Sequence, residues 1–517
     1  MQADRGFTLS HQKVALELGF SGVLAGFTEL TIMPSNAALR HIYLHARCMD
    51  IQRVLCNGQE VRFEHTDAVQ SLALSDIHGH AQLKRDLFSA TSQGAEGELR
   101  ISLPDHLRPE RVSSGTEGNA DGEEFSMMTI RIDYVLEDVH EAIQVIQPTA
   151  DAPYRVPHMY TRPLGLNSSR CWVPCLDSLW DRCTWELEYV VPRRLSVDMG
   201  DLDDETPEIY VISSGELTEH AMHPQNPEKS VFYYTQQVAT SVQHVAFCAG
   251  PFVMTRLSPA GLQTCETLSF CLPEHEHELR STTQFAWQAI EYISSEYGSY
   301  PFGSFKLVFV DGTHEDCHTA STLAICSSDL LHPPSVIDQA FENRHILSHA
   351  VAFQWVGINI IQKTWADTWL IHGLSQYLAS MFLRWLLGNN EYRFRMKKDC
   401  DRLCHWDIGM PPLYQAGRDE PLDPQLLSFV NLKAPLVLYL LDRRLCKMGA
   451  SLGLGRVIPK VFLQAITGEM SNNALGTHSF LRTCKKVSSA DLRLFMDQWI
   501  NGRGGPGFIC TATFNRK

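Results

Sequence analysis

The sequence lacks three features that mark special classes of protein. Its 15 cysteines are scattered singly and do not form the closely spaced pairs of a disulfide-stapled or zinc-ribbon module, so a reducing compartment is expected. Residues 1–20 have no continuous apolar core like that of a secretory signal, and no later stretch is a run of the roughly 20 apolar residues that cross a bilayer. The chain is therefore predicted to be intracellular and to contact no membrane.

Positive charge is also scarce. The chain has 44 basic and 59 acidic residues, which gives a formal charge of −15. A protein that binds nucleic acid with its whole surface needs a positive net charge, because it binds by neutralising phosphates. The composition excludes that class and leaves room only for local basic patches.

The apolar content is high enough for several cores, since 44% of the 517 residues are hydrophobic. From about residue 23 to residue 252 the apolar residues recur mainly at every second position, which is typical of half-buried strands. Met128, Ile130, Ile132 and Tyr134, for example, share one face. We predict a large antiparallel β-sheet domain over residues 1–256.

Beyond Phe252 the apolar period changes towards 3.6, which is typical of helices. The first predicted helix runs from Ala286 to Tyr297 and ends at Gly298, a residue suited to a helix C-terminus. Further helices are predicted over residues 337–356, 367–387, 391–405, 434–448, 457–468 and 491–500. Residues 257–503 are therefore predicted to form a mostly helical second domain.

The last residues, 504–517, have the pattern of a turn and one short strand. A single strand is not stable by itself. We interpret it as the first strand of a third, β domain, so the predicted fold class is α+β and multidomain.

One stretch has the layout of a metal site. It runs from His345 to Gly357 and is followed by Trp365 to Gly373. It resembles the gluzincin aminopeptidases, which carry H-E-x-x-H-x-W on one helix and a third ligand, the Glu of W-L-N-E-G, further along the chain. The interval from Phe353 to His372 matches the spacing between the second and third ligands of that family.

The resemblance implies that the chemistry of this motif is lost. In the family two His side chains share a helix face and hold zinc, and the Glu is the general base for a zinc-bound water. Here His349 stands at the first ligand, Ala350 at the general base, Phe353 at the second ligand and His372 at the third. A benzyl group cannot coordinate a metal, and a methyl group cannot move a proton.

Two more positions differ from the family pattern. His318 stands where the Glu of G-A-M-E-N binds the amine of the substrate, and Asn431 stands where the Tyr of Y-x-K-G stabilises the tetrahedral intermediate. Losing a general base alone costs about 10²–10⁴-fold in rate. The resemblance therefore implies a pseudo-aminopeptidase with no catalytic, cofactor-binding or metal-binding residues.

Residues that would position such a site are of the family type. Residues 170–177 resemble the family's A-R-x-x-F-P-C-x-D strand, and six residues around the motif also match: Trp355, Trp365, Asp367, Trp369, Leu370 and Gly373. The resemblance covers essentially the whole chain. It implies a saddle-like N-terminal sheet domain followed by a thermolysin-like helical domain.

Within the aminopeptidase-like proteins the chain resembles the TBP-associated factor 2 family most. The segments that carry this resemblance are residues 170–178, 183–188, 249–252, 329–332, 365–369 and 388–393. The resemblance implies a nuclear scaffold subunit of the general transcription factor TFIID, which acts in RNA polymerase II initiation. It also implies binding to other TBP-associated factors, including a histone-fold partner, and to core-promoter DNA around the initiator through the full complex.

Two alternatives remain open from the residues alone. His345, His349 and His372 form a possible three-His zinc site, which would make the chain a metalloprotein or a residual zinc aminopeptidase. The predicted helix from Glu391 to Arg402 concentrates basic residues, which fits either a phosphate contact or an ordinary solvated face.

Overall fold

The computed structural model describes residues 5–70, 72, 79–93, 96–111, 125–137, 139–162, 167–195, 207–259, 265–313, 315–447 and 453–505. The chain forms two compact units. Unit 1 comprises Met1–Trp287 and Pro301–Ile346, and unit 2 comprises Gln288–Tyr300 and Leu347–Lys517. The strand predicted within residues 504–517 falls almost wholly on residues 506–517, which lie outside the described residues.

Unit 1 is rich in strands. In chain order they are β1 (Phe7–Leu18), β2 (Leu24–Pro34), β3 (His41–Leu44), β4 (Asp50–Cys56), β5 (Gln59–Glu60), β6 (Phe63–His65), β7 (Leu99–Ser102), β8 (Met128–Leu136), β9 (Ile143–Ile146), β10 (His158–Thr161), β11 (Arg182–Pro192), β12 (Tyr210–Ser213), β13 (Glu216–His223), β14 (Asn226–Ser241), β15 (Phe247–Gly250), β16 (Val253–Arg256), β17 (Glu266–Cys271), β18 (Ser304–Val310), β19 (Cys317–Ala320) and β20 (Leu323–Ser327). Helices α1 (His80–Gln93) and α2 (Glu276–Thr283) belong to the same unit.

Four sheets are built from these strands. An eight-stranded sheet has the order β13-β14-β11-β1-β2-β8-β4-β5, and a five-stranded sheet has the order β16-β17-β18-β20-β19. Smaller sheets have the orders β12-β15-β10-β9 and β3-β7-β6. In β8 buried residues alternate strictly with half-buried ones, as the sequence predicts. The period-two pattern thus places one face of the large sheet in the core.

Two features of unit 1 differ from the prediction. The large sheet is mixed rather than antiparallel, because β1 pairs in parallel with β11. A second sheet follows Phe252, where mostly helix was expected, and β17, β18 and β20 pair in parallel within it. Every residue of β18 and β20 is buried. Parallel strands that are covered on both faces show no alternation, so the period-two signal is absent there.

The five-stranded sheet shares a core with the four-stranded sheet. Ile146, Tyr160 and Cys248 lie in one buried cluster with Val308 and Ile325. Because of this shared core, the compact unit extends beyond residue 256. The domain boundary predicted between residues 256 and 257 stays a prediction.

Unit 2 is mostly helical. Helices α3 (Ala286–Glu296) and α4 (Asp338–Phe353) run from unit 1 into unit 2. The remaining elements are α5 (Thr368–Leu387), α6 (Asn389–Trp406), α7 (Pro424–Lys447), α8 (Leu454–Ile466), α9 (Thr477–Ser488) and α10 (Arg493–Phe495), with a two-stranded sheet of β21 (Ile361–Gln362) and β22 (Ala474–Leu475). Helix α9 is absent from the sequence prediction, and α7 begins before its predicted start at residue 434.

Among the described residues, one helix is long and apolar enough to cross a membrane by length and composition. It is α7, over Pro424–Cys446. The helix carries Lys433, whose ammonium is ion-paired with the Asp407 carboxylate at 2.7 Å, and both side chains are almost fully buried. It packs against α5, α6 and α8. Its contacts are those of a core helix of unit 2.

A buried ion network explains the family-type segment in unit 1. The Arg170 guanidinium contacts Glu98 at 2.9 Å and Asp177 at 3.0 Å, and at most 8% of any of these side chains is exposed. Arg47 contacts the same Glu98 carboxylate at 3.1 Å. The Asp177 backbone N–H donates to Nδ1 of His45, which holds that ring neutral. Burial lowers the pKa of His45 to about 3.

Arg170→Met should destabilise unit 1 by about 3–5 kcal/mol, because it leaves two buried carboxylates without their shared cation. The matched control is Arg193→Met, whose pair with Glu208 is about half exposed and which should cost less than about 1 kcal/mol. Urea unfolding followed by tryptophan fluorescence measures both. Equal losses in the two variants would contradict a structural role for the network.

Candidate functional site

Helix α4 carries three of the four motif positions. His349 and Phe353 lie one turn apart on one face, and Ala350, predicted to stand at the general-base position, is buried. The helix ends at Phe353, and Gly357 follows with φ of +141°. A Cβ at Gly357 would lie 2.5 Å from the Phe353 ring, so only glycine fits beside that ring.

The Phe353 ring contacts both imidazoles of the site. Its centroid is 5.7 Å from that of His349 and 5.6 Å from that of His372 on α5. The interplanar angles are 69° and 59°. Edge-on aromatic contacts of this kind are favourable. An apolar ring therefore contacts both imidazoles, at the position predicted to match the second ligand.

The His349 ring is hydrogen-bonded to a serine hydroxyl. Its Nε2 is 3.0 Å from Ser375 Oγ, and the Ser375 hydroxyl donates to the backbone carbonyl of His372 at 2.9 Å. Ser375 Oγ is therefore the hydrogen-bond partner of His349 Nε2, the ring atom that would otherwise face a metal.

His372 lies next to Asn431, another residue that differs from the family pattern. Asn431 on α7 lies beside the His372 ring and acts to raise the pKa of His372. The Nδ1 atom of His372 and the Oδ1 atom of Asn431 do not meet the geometry of a regular hydrogen bond. The side chain keeps some exposed surface, but its ring is closely surrounded by protein atoms. Burial lowers the pKa of His372 to about 4. The imidazole is thus neutral at physiological pH.

A close approach of α5 and α7 fixes these positions. A Cβ on Gly373 would lie 2.9 Å from Ala434 Cβ and 3.0 Å from Leu438 Cδ1. Both neighbours lie on α7, in the core of unit 2. Only glycine lets the two helices pack at this distance. His372 and Asn431 therefore meet because Gly373 lies next to His372.

Three other family-type residues make hydrogen bonds within unit 2, and two of them secure the start of α5. The Asp367 carboxylate accepts from the Thr364 backbone N–H at 3.1 Å and from the Thr477 backbone N–H at 2.7 Å. The Trp369 indole donates to the Thr477 hydroxyl at 3.1 Å. The Trp355 indole donates to the carbonyls of Gly298 and Ser299. None of these interactions needs a metal.

His318 lies in unit 1, on β19, where it is paired with Ile325 of β20. Burial lowers its pKa to about 4, so the side chain at this position is neutral at physiological pH. An imidazole without charge differs from the anion that the family motif places there. Its equivalence to that anion stays a prediction.

The residues of the motif do not fit zinc. Phe353 offers no donor atom, and Nε2 of His349 is hydrogen-bonded to Ser375. His345 lies one turn before His349 on α4. Across the part of the chain that the structure describes, Glu274, His275 and Asp311 are the one group of three or more potential ligands whose donor atoms lie within 4.8 Å of one another. His345, His349 and His372 do not form such a group.

Comparison with known proteins identifies the relatives of the chain. No protein-family model matches it. Transcription initiation factor TFIID subunit 2 of Schizosaccharomyces pombe is 34% identical over 563 residues, which cover 98% of this chain and 46% of that protein. The subunit of the same name in Drosophila melanogaster is 29% identical over 562 residues, which cover 99% and 44%.

The chain is a relative of TFIID subunit 2. It spans about half the length of the curated relatives it matches. The resemblance inferred from the sequence is therefore confirmed. The equivalences of individual site residues stay predictions.

Solved structures share the fold. Leukotriene A4 hydrolase from Saccharomyces cerevisiae superposes with a TM-score of 0.67 at 15% identity, over 98% of this chain and 69% of that chain. An M1 zinc metallopeptidase from Deinococcus radiodurans superposes with a TM-score of 0.64 at 18% identity, over 97% and 95%. The TFIID subunit 2 relative thus has an α+β, aminopeptidase-like fold, and the predicted fold class is confirmed.

Two polar contacts of unit 2 were not predicted from the sequence: that of Ser375 with His349 and that of Lys433 with Asp407. Ser375 lies one turn beyond His372 on α5, and it is a polar residue in a largely apolar helix. Lys433 lies within the segment compared with Y-x-K-G, and its Asp407 partner had no signal in the sequence. Both partners become visible only when the helices are assembled.

His372→Gln should reduce the sensitivity of the fold to acid. The pKa of His372 is about 4 when folded, below the usual 6.5, so the unfolded chain takes up the proton first. The stabilisation is complete above pH 6.5 and is lost as the pH falls towards 4. Between pH 7 and pH 5 the wild type should lose about 1 kcal/mol more than the variant, after a discount for partial exposure.

Thermal unfolding at both pH values measures this difference, and His106→Gln, at a more exposed histidine, is the control. An identical pH response in wild type and His372→Gln would contradict the assignment.

Proposed function

We propose that this chain is a non-catalytic scaffold subunit of TFIID. The observation that carries the proposal is the contact of the Phe353 ring with both His349 and His372, together with Ala350 at the predicted general-base position. Metal-assisted hydrolysis needs an open metal position and a base. This site offers an apolar ring and a methyl group instead.

The relatives supply the biological setting. They are named as subunits of a transcription initiation factor, and the chain aligns with them over nearly its whole length. On that basis we propose a nuclear protein that binds other TBP-associated factors, including a histone-fold partner. It would contribute to assembly and to core-promoter recognition at the initiator during RNA polymerase II initiation.

Contact with promoter DNA is proposed through the full complex. Helix α6 holds the basic run, yet Arg395 pairs with Glu391, Lys397 with Asp401 and Arg402 with Asp399. Cations that are paired on their own helix contribute less to phosphate binding. The chain as a whole is also acidic. The solvated-face interpretation of α6 is therefore favoured.

The alternative function is that of a metalloprotein built on His349, His372 and His345. It would require the Phe353 ring to move and the Ser375 hydrogen bond to break. No feature of the described site favours that rearrangement. It makes a clear prediction about metal content, which separates the two proposals.

Purified protein should contain substoichiometric zinc by elemental analysis and should not hydrolyse a fluorogenic aminopeptidase substrate. The triple variant Ala350→Glu, Phe353→His and His372→Glu restores the ligand types of the family and should bind more zinc than the wild type. Zinc binding by this variant would show that the fold still supports the metal-binding motif. One zinc per wild-type chain would contradict the scaffold proposal.

Affinity purification of the tagged chain from nuclear extract should recover other TBP-associated factors, detected by mass spectrometry. The matched control is Gly373→Val, which should disrupt the packing of α5 on α7 and reduce recovery. Recovery should be unchanged when zinc is chelated. If the folded chain recovers no TFIID subunit, the proposed function is wrong.

A further inference from the structure

Two cysteines face each other on the edge of the five-stranded sheet. Cys317 on β19 is the direct antiparallel partner of Cys326 on β20. Their sulfur atoms are 3.2 Å apart, and the Cys326 thiol donates to the sulfur of Cys317. Cys317 is half-buried, whereas Cys326 is fully buried. One thiol is thus accessible and the other lies directly behind it.

Directly opposite residues of an antiparallel pair have Cα atoms about 4.5–5.5 Å apart. A disulfide needs a Cα separation of about 4.4–6.8 Å and a sulfur–sulfur bond of about 2.05 Å. The backbone register of Cys317 and Cys326 already meets the first requirement. Small side-chain rotations are enough for the second.

Exposure alone does not single out this pair. Cys400 and Cys404 are the more exposed thiols of α6, and they stand one helical turn apart rather than across a strand pair. Cys48 and Cys171 are also hydrogen-bonded neighbours. Only for Cys317 and Cys326, among the described cysteines, do strand register and sulfur contact coincide. The cross-strand geometry is what sets them apart.

We propose that Cys317 and Cys326 are an oxidation site, at which a small-molecule disulfide such as glutathione disulfide forms an intrachain cross-link. The deprotonated sulfur of Cys317 attacks one sulfur of glutathione disulfide, whose S–S bond breaks to release one glutathione thiolate. The Cys326 sulfur then attacks the sulfur of Cys317, the bond from Cys317 to glutathione breaks, and the Cys326 proton passes to the departing glutathione thiolate. Two protein thiols are oxidised, and one glutathione disulfide is reduced to two thiols.

The cross-link would act on an edge strand. β19 is the last strand of its sheet and has four residues, including His318. Short edge strands open readily because few interactions hold them. A covalent bond to the buried strand β20 suppresses that opening. Oxidation therefore changes the mobility of β19 without rearranging the core of unit 1.

Differential alkylation tests the proposal on the intact chain. The protein is equilibrated in glutathione buffers from reducing to oxidising, free thiols are blocked, and the remaining disulfides are reduced and labelled with a heavier reagent. Trypsin releases both cysteines on the single peptide 307–344, which contains no other cysteine. Both should take the heavy label together, without glutathione attached, in a more reducing buffer than Cys400 needs to become glutathionylated.

Two variants test which cysteine reacts first with glutathione disulfide. Cys326→Ser should trap a mixed glutathione disulfide on Cys317, whereas Cys317→Ser should leave Cys326 reduced, because no accessible thiol starts the exchange. In the wild type, hydrogen exchange of residues 317–327 should slow on oxidation, and it should not slow in either variant. Two thiols that stay alkylatable in the oxidising buffer, in protein that circular dichroism shows to be folded, would overturn the proposal.

Discussion

The close packing of α5 on α7 at Gly373 is the constraint on which the candidate site depends. Ala434 and Leu438 leave no room there for a side chain. The contact fixes the distance between the two helices, and it therefore decides that His372 meets Asn431. On the α4 side, the Phe353 ring contacts the imidazoles of both His349 and His372. The positions of the site residues thus rest on a close packing of two helix backbones.

The residues that match the family and those that differ from it have separate tasks. Asp367 secures the start of α5, and Trp369 and Trp355 bond to backbone or hydroxyl groups in the core of unit 2. The positions that differ, Ala350 and Phe353, are the ones where coordination or proton transfer would take place. A fold can be retained when its chemistry is lost, because stability and catalysis draw on different side chains.

The sequence predicts the elements that have a clear period. The alternation predicts the buried face of β8, and the apolar spacing predicts the bounds of α5 within about a residue. Strands β18 and β20 show no alternation of apolar and polar residues, because both of their faces are buried. The sequence therefore did not predict them. Within the site, the helix repeat already places His349 and Phe353 together. The contacts to Ser375 and Asn431 depend on how α5 and α7 pack, which a single sequence does not specify.

The Phe353 ring also changes what unit 2 needs in order to fold. In a metalloprotein the helices that supply the ligands are joined through the ion, so folding is coupled to metal supply and to the proton release that ligation requires. Here α4 and α5 are joined by aromatic contacts and a serine hydrogen bond. If the site holds no metal, as proposed, the assembly of this junction does not depend on the supply of zinc.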